Sequence, residues 1–388
     1  MRVLIAIGVH RQEEAGAAGV VLNQARELEA RGHIVECWFI EDVLERPARP
    51  ERFESLVFAF RAARRISRER TRFDIANIHA PWGCAYGIWR KLLRAKDAPP
   101  YVMTMQGSEE QYAEAMREEH RKGRAWNFGW RNKIWHRLYH QTMYNISIRT
   151  ADYGVVANRE GTEYVLRKHR RDPERFSFIP NGVEERFFTA RDYGATPPRL
   201  LYVGSWLDRK GVYYLAEAFG ILARKMPSAE LTVAGCMRAE EQVKSFFAPG
   251  CRSQVRVLPF VKREEMPAVY AAHDIFVFPS LVEGMPLTLL EAMASAMPVL
   301  TTAACGMADV VQDGFNGILI PPADAAALES ASLRLCHDVN LRRRLGQAAQ
   351  GTMRRYTWQS SASKLERVFV SALQNGNSRG GVECSPSG

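Results

Sequence analysis

No stretch of this 388-residue chain carries the roughly 18 consecutive apolar residues that a membrane-spanning helix requires. Cysteine is scarce and unpatterned. There are seven, an odd number without a C-x-x-C pair, which fits a reducing compartment better than a disulfide framework. The Asp-x-Asp pair is missing, as is any other spacing suited to holding a divalent cation, so no metal cofactor is expected. His136 and His140 stand four apart but lack a third ligand nearby, and they read as a solvated helix face. Gly8-Val9-His10 starts no G-x-G-x-x-G turn, which disfavours a nicotinamide dehydrogenase. The first residues enter a strand at Val3-Leu4-Ile5 without a basic, apolar, small-residue leader pattern, so a cytoplasmic location is expected.

Charge is not extreme either. The formal net charge is +10, and residues 1–190 hold 32 Lys and Arg against 25 Asp and Glu, so most of the excess lies in the first half. Such a bias suits a solvated surface, an anionic membrane surface or an acidic acceptor; nucleic acid fits it poorly and is not expected as a partner.

What is present is alternation. Short apolar runs at residues 2–8, 34–39, 74–79, 101–106, 153–157 and 176–179 alternate with helical spacings, among them 20–31 and a basic helix over 53–70. After a polar stretch with Pro197-Pro198, the pattern restarts at 200–204, 231–235, 255–258, 275–278, 299–302 and 317–320. Strands alternating with helices predict parallel, doubly wound sheets. The fold class is therefore α/β with two Rossmann-like domains. We place an N-terminal domain at 1–183, a linker at 184–198 and a C-terminal domain at 199–356. A helix over 357–374 crosses back to the first domain, and 375–388 form a disordered Gly/Ser-rich tail.

One segment is more specific than the rest. Residues 276–298 read FVFPSLVEGMPLTLLEAMASAMP, placing Glu283 and Glu291 eight apart around a glycine-containing loop and a helix start. Pro286 suits the first helical position, and helix-start N–H groups favour an anion. Carboxylates beside such a site accept hydrogen bonds from sugar hydroxyls, a geometry suited to a nucleotide sugar.

Further signals run in order along the chain. They are Gly16 and Gly19 in a loop after the first strand, Gly32-His33, Asp74 with His79, and Thr104-Met105-Gln106-Gly107. Ala151-Asp152, Ile179-Pro180-Asn181-Gly182-Val183, Val203-Gly204 with Lys210-Gly211, and Asp313-Gly314-Phe315-Asn316-Gly317 complete the series. Taken together with the Glu283–Glu291 segment, the chain resembles the retaining GT-B glycosyltransferases of glycosyltransferase family 4 (group 1 type). The resemblance implies a GT-B architecture, its two domains facing across a cleft. It implies donor binding by Gly16, Gly19, Gly204, Ser205, Arg209, Lys210, Gly235, Glu283, Gly284, Met285, Pro286, Leu287 and Glu291. Glu291 would hold the ribose hydroxyls, Glu283 a hydroxyl of the transferred sugar, and Lys210 the leaving diphosphate. His79 joins Glu283 and Lys210 as a catalytic candidate. Gln106, Glu109, Glu110, Trp126 and Trp130 fall on the acceptor side.

Two departures stand out. Ser205 occupies a position where the family commonly has Arg, leaving Arg209 to compensate or to face solvent, and Gln106 replaces a His before glycine, so its role is positioning rather than proton transfer. Residues 117–149 interleave Trp126, Trp130 and Trp135 with basic side chains, a composition suited to gripping a lipid-linked or glycan acceptor or to packing as an amphipathic helix. The expected function is transfer of a sugar from a UDP- or GDP-linked donor to a glycan or lipid-linked acceptor in surface polysaccharide synthesis, on the inner membrane face. A non-catalytic nucleotide-sugar-binding or scaffolding subunit, or a nucleotide-sugar epimerase, is the alternative.

Overall fold

The computed structural model describes residues 1–11, 16–44, 53–92, 97–124, 134, 136–194 and 197–378. Trp126, Trp130 and Trp135 lie outside the described residues. The chain divides into two compact units. Unit 1 comprises Met1–Glu109, Lys133–Pro180 and Trp358–Gly388; unit 2 comprises Glu110–Asn132 and Asn181–Thr357. This division differs from chain order at one internal segment, since Glu110–Asn132 belongs with unit 2.

Unit 1 is built on a six-stranded parallel sheet. Its strands are β1 (Arg2–Ala6), β2 (Ile34–Trp38), β3 (Ile75–His79), β4 (Tyr101–Met105), β5 (Tyr153–Val156) and β6 (Phe176–Phe178), in the order β2-β1-β3-β4-β5-β6. The helices are α1 (Gly16–Ala30), α2 (Ile40–Val43), α3 (Glu54–Arg68), α4 (Cys84–Leu92), α5 (Glu109–Arg121, continuing into unit 2), α6 (Gln141–Thr150) and α7 (Arg159–His169). A π-helical turn, His136–His140, runs directly into α6.

Strand side chains alternate between the two faces of the sheet, and each face has its own core. Leu4, Ala6, Ala76, Ile78 and Met103 point to the layer of α3, α4 and α6, while Val3, Ile5, Ile75, Val102 and Val155 point to α1 and the last helix. Covered on both faces, β3 and β4 are buried at every position, which explains why IANIH and YVMTM lack a polar-apolar alternation.

Unit 2 carries β7 (Arg199–Val203), β8 (Glu230–Ala234), β9 (Val255–Leu258), β10 (Ile275–Phe278), β11 (Val299–Thr302) and β12 (Ile318–Ile320), all parallel, in the order β12-β11-β10-β7-β8-β9. Its helices are α8 (Val212–Lys225), α9 (Glu240–Lys244), α10 (Met266–Ala271), α11 (Leu287–Ala294), α12 (Gly306–Val310), α13 (Ala325–His337) and α14 (Val339–Met353). The final helix, α15 (Trp358–Ser378), belongs to unit 1.

Three expectations need correction. Gly16 and Gly19 are not in a loop: Gly16 opens α1 and Gly19 is buried within it. Pro286 is not the first helical residue but the N-cap of α11, with extended backbone, because the helix starts at Leu287. The last helix does not stop at Gln374 but runs through Ser378.

Candidate functional site

In open α/β sheets ligands bind beyond the carboxyl ends of the strands, where the strand order reverses. In unit 2 that point lies between β7 and β10, neighbours in the sheet but far apart in sequence. The loops that follow these two strands meet there. After β7 the chain passes Gly204 and Ser205 to a 3-10 turn, Asp208–Lys210, closed by Gly211 at a φ of 70°. A Cβ at Gly211 would stand 1.9 Å from the Pro279 carbonyl oxygen, so only a bare glycine lets this turn press against the loop after β10. Two hydrogen bonds to the Arg209 carbonyl join the loops, from Leu281 N–H (2.8 Å) and from Ser280 Oγ (3.1 Å).

This close packing brings three predicted residues together. Lys210 Nζ lies 2.7 Å and Arg209 Nη1 2.8 Å from Glu283 Oε1, and Ser280 Oγ donates to the same oxygen at 2.8 Å. Among the described residues, no hydrogen bond reaches Oε2. Burial pushes the Glu283 carboxyl up, but Lys210, Arg209 and the Ser280 hydroxyl more than offset it and hold the group below its ordinary range. Burial lowers the Lys210 ammonium, against the opposing pull of Glu283. Arg209 is thus turned to Glu283, and it supplies a second cation one residue from Lys210.

Glu291, on α11, is only 3% exposed and has its own partners. Arg263 Nη1 donates to Oε1 at 3.0 Å and Tyr270 Oη to Oε2 at 2.9 Å. The Arg263 guanidinium also bonds Glu184, just after the chain enters unit 2. Burial and then the adjacent carboxylate push the Tyr270 phenol well above its ordinary range. Sequence reasoning missed Arg263, Tyr270 and Glu184. Arg263 stands in a charged loop after β9 and Tyr270 occupies an apolar helical position, so nothing in spacing marks either.

The other donor-side positions of unit 2 lie on the segments that follow β7, β8 and β10. Tyr202 Oη donates to the Ser205 carbonyl at 3.1 Å, and Gly235 follows β8 with a φ of 64°. The Met285 carbonyl accepts from Asn181 Nδ2 at 3.0 Å, and Gly284, Pro286 and Leu287 lead from Glu283 into α11. Gly16 and Gly19 fall in unit 1.

In unit 1 the strand order turns between β1 and β3. His79, the last residue of β3, is buried there with neither ring nitrogen partnered, and burial lowers its pKa to about 3. It is neutral near pH 7. Asn77, two residues earlier, accepts from Thr104 Oγ1 at 3.1 Å but leaves Nδ2 unpartnered. Gln106 is half-buried after β4, Glu109 opens α5 and bonds His136 Nε2, and Glu110 is assigned to unit 2.

Among the described residues no three His, Cys, Asp or Glu groups converge to hold a metal ion, and no helix is long and apolar enough to cross a membrane. Two parallel six-stranded sheets, one with a buried carboxylate and two cations at its switch point, define a GT-B glycosyltransferase architecture. The whole-chain likeness to sucrose-phosphate synthase from Thermosynechococcus elongatus shows the same fold, with a TM-score of 0.76 over 97% of this chain and 100% of that one at 19% identity.

The family itself follows from the sequence. Residues 15–187 match the description "Glycosyltransferase Family 4" and residues 184–352 "Glycosyl transferases group 1", and the chain belongs to this family of transferases. It is 28% identical over 249 residues to D-inositol 3-phosphate glycosyltransferase of Corynebacterium kroppenstedtii, covering 59% of this chain and 55% of that protein. It is 32% identical over 171 residues to the amylovoran biosynthesis glycosyltransferase AmsK of Erwinia amylovora, covering 42% of each. The matches thus span about half the length of these relatives.

Proposed function

We propose that this protein transfers a sugar from a nucleotide-diphosphate sugar to a glycan or lipid-linked acceptor in surface polysaccharide synthesis, with retention of anomeric configuration. The observation that carries the reading is the Lys210–Glu283–Arg209 cluster at the switch point of unit 2. A departing nucleoside diphosphate builds up negative charge, and two cations held in place by a carboxylate answer it without reorganising at the moment of reaction. Glu283 keeps Oε2 for a hydroxyl of the transferred sugar, while Lys210 and Arg209 turn from Oε1 toward the diphosphate as the donor binds, before the reaction. Glu291, held by Arg263 and Tyr270, takes the ribose hydroxyls with its remaining lone pairs.

In this reading Lys210 and Arg209 supply the counter-charge themselves, so transfer needs no divalent cation. The acceptor hydroxyl attacks from the face the diphosphate leaves, and the departing phosphate oxygen takes its proton. Gln106, Glu109 and Glu110 orient the acceptor. AmsK, a relative named for amylovoran biosynthesis, supports the polysaccharide part. The basic excess of the first half supports work on the cytoplasmic side at an anionic membrane surface.

The test is thermal unfolding of the full chain with UDP, GDP, ADP and their common sugar conjugates, with and without EDTA. One nucleotide series should raise the midpoint regardless of EDTA, since a ligand at 100 times its Kd adds about 2.7 kcal/mol. Absence of a shift with every nucleotide would overturn the donor site.

A further inference from the structure

We infer that the outer face of the α3, α4 and α6 layer in unit 1 docks on an anionic lipid bilayer, a proposal that deepens the membrane part of the reading above. These helices lie side by side on one side of the sheet. Their inner residues, such as Phe58, Ala62, Ile66, Ala85, Met143 and Ile148, are buried in one core. The opposite face is not the uniformly polar surface that an amphipathic layer normally presents. Phe60 on α3, Leu92 at the end of α4 and Leu138 in the π-helical turn before α6 are 60%, 75% and 70% exposed.

Single exposed apolar residues are ordinary. Here they are set among unpaired cations. Arg61, Arg64 and Arg68 form the solvent stripe of α3, with Arg137 and Arg149 on the turn and α6, and none of the five has an ion-pair partner among the described residues. Across α3, α4, the turn and α6 there are eight Lys and Arg and a single acidic residue, Glu54.

The chemistry of the occupant follows from the pairing of these two features. The apolar side chains come from three separate elements, and the arginines are spread between them. A bilayer surface offers diffuse negative potential at the headgroups and an apolar layer just below, both over a broad area. Arginine is suited to this because its stem lies along apolar surface while the guanidinium stays with phosphate. The face needs none of Trp126, Trp130 or Trp135.

The experiment is co-sedimentation of the full-length protein with vesicles of phosphatidylcholine alone and of phosphatidylcholine mixed with phosphatidylglycerol. Wild type should bind the mixed vesicles and not the neutral ones. The triple variant Arg61→Gln/Arg64→Gln/Arg68→Gln should lose on the order of 100-fold in partitioning, from roughly fivefold per arginine. Phe60→Ser should weaken binding further. A control that removes three exposed cations of unit 2, Arg224→Gln/Arg256→Gln/Arg343→Gln, should retain binding. Failure of wild type to bind mixed vesicles, or equal losses in the two triple variants, would overturn the assignment. Nucleotide-dependent thermal shifts measured on the same variants keep the two readings apart. Vesicle binding without any nucleotide shift leaves the docking face standing and removes the transferase reading; a shift without vesicle binding does the reverse.

Discussion

The two units share a scaffold and differ in what they bury at its switch point. Each has six parallel strands whose order reverses once, after β1 in unit 1 and after β7 in unit 2. At the reversal in unit 2 the polar groups are charged and paired: Lys210 and Arg209, with the Ser280 hydroxyl, converge on one oxygen of Glu283. At the reversal in unit 1 they are neutral and short of partners, with His79 bonded at neither nitrogen and Asn77 lacking one for Nδ2. The same sheet therefore sets the position of a site and not its chemistry. An ion cluster is held together by opposite charge, whereas a neutral buried imidazole is kept in place by the surrounding packing and resists protonation.

The sharpest way to break this comparison is to remove one charge from unit 2. Lys210→Ala leaves Glu283 buried with only Arg209 and Ser280, and should cost about 2–4 kcal/mol in chemical denaturation at pH 7. Transfer activity should fall at least on the order of 100-fold, as for loss of one transition-state donor. The double variant Lys210→Met/Glu283→Gln should recover most of the stability, because the one charge left without its partner, Arg209, is half-exposed and reaches water, but none of the activity. A single-variant cost within about 0.5 kcal/mol would place the pair with ordinary surface ion pairs and dissolve the contrast.

The second test uses pH. Unfolded His79 takes up a proton below about 6.5, whereas in the folded chain it does so only near 3. The unfolded state binds more protons throughout that window, so stability is lost as pH falls through it, by about 1.4 kcal/mol per unit. Glu283 acts lower. Its folded pKa is depressed, so its contribution is intact above the unfolded carboxyl value and disappears only as pH falls through the folded one. Acidification from pH 7 to 5 should therefore weaken unit 1 through His79, while the Glu283 cluster stays intact. His79→Asn should remove about 2 kcal/mol of the stability difference between these two pH values, read as protection in hydrogen exchange of β3 and β4. An unchanged difference would mean that the imidazole titrates normally.

These contrasts were only partly legible in the sequence. All twelve strands fall where apolar runs bounded by turn residues place them, and the central ones, such as β3, β4 and β10, are buried at every position and read as near-continuous apolar runs. The Glu283 loop was legible from its glycine and the helix start beyond it, and Lys210 was singled out only by the family resemblance. Their direct contact was not legible, since it depends on how closely Gly211 packs against Pro279. The partners of Glu291 were invisible for a different reason: Arg263 and Tyr270 come from another loop and helix, and only the fold brings them to it. The membership of α5 was hidden as well. Glu119 is buried there against Tyr214 Oη at 2.5 Å, a contact within unit 2 that no local spacing shows.

The smallest test concerns how finely unit 2 satisfies its buried charge. Tyr270→Phe keeps the ring, which packs edge-on against Phe187, and removes only the hydroxyl that donates to Glu291 Oε2. Arg263 still holds Oε1, so the carboxylate loses one of two anchors and not its counter-charge. The stability cost should be about 1 kcal/mol, the net value of one hydrogen bond. Nucleoside diphosphate affinity should fall by less than about tenfold, because the freed lone pairs still accept the ribose hydroxyls while the carboxylate is less well oriented. Titration calorimetry of this variant separates two roles for the tyrosine. A modest loss of affinity with an unchanged fold makes Tyr270 a residue that positions Glu291. Affinity that rises instead would mean the hydroxyl competes with the ligand for the carboxylate, and that unit 2 fills its own site in the absence of a donor.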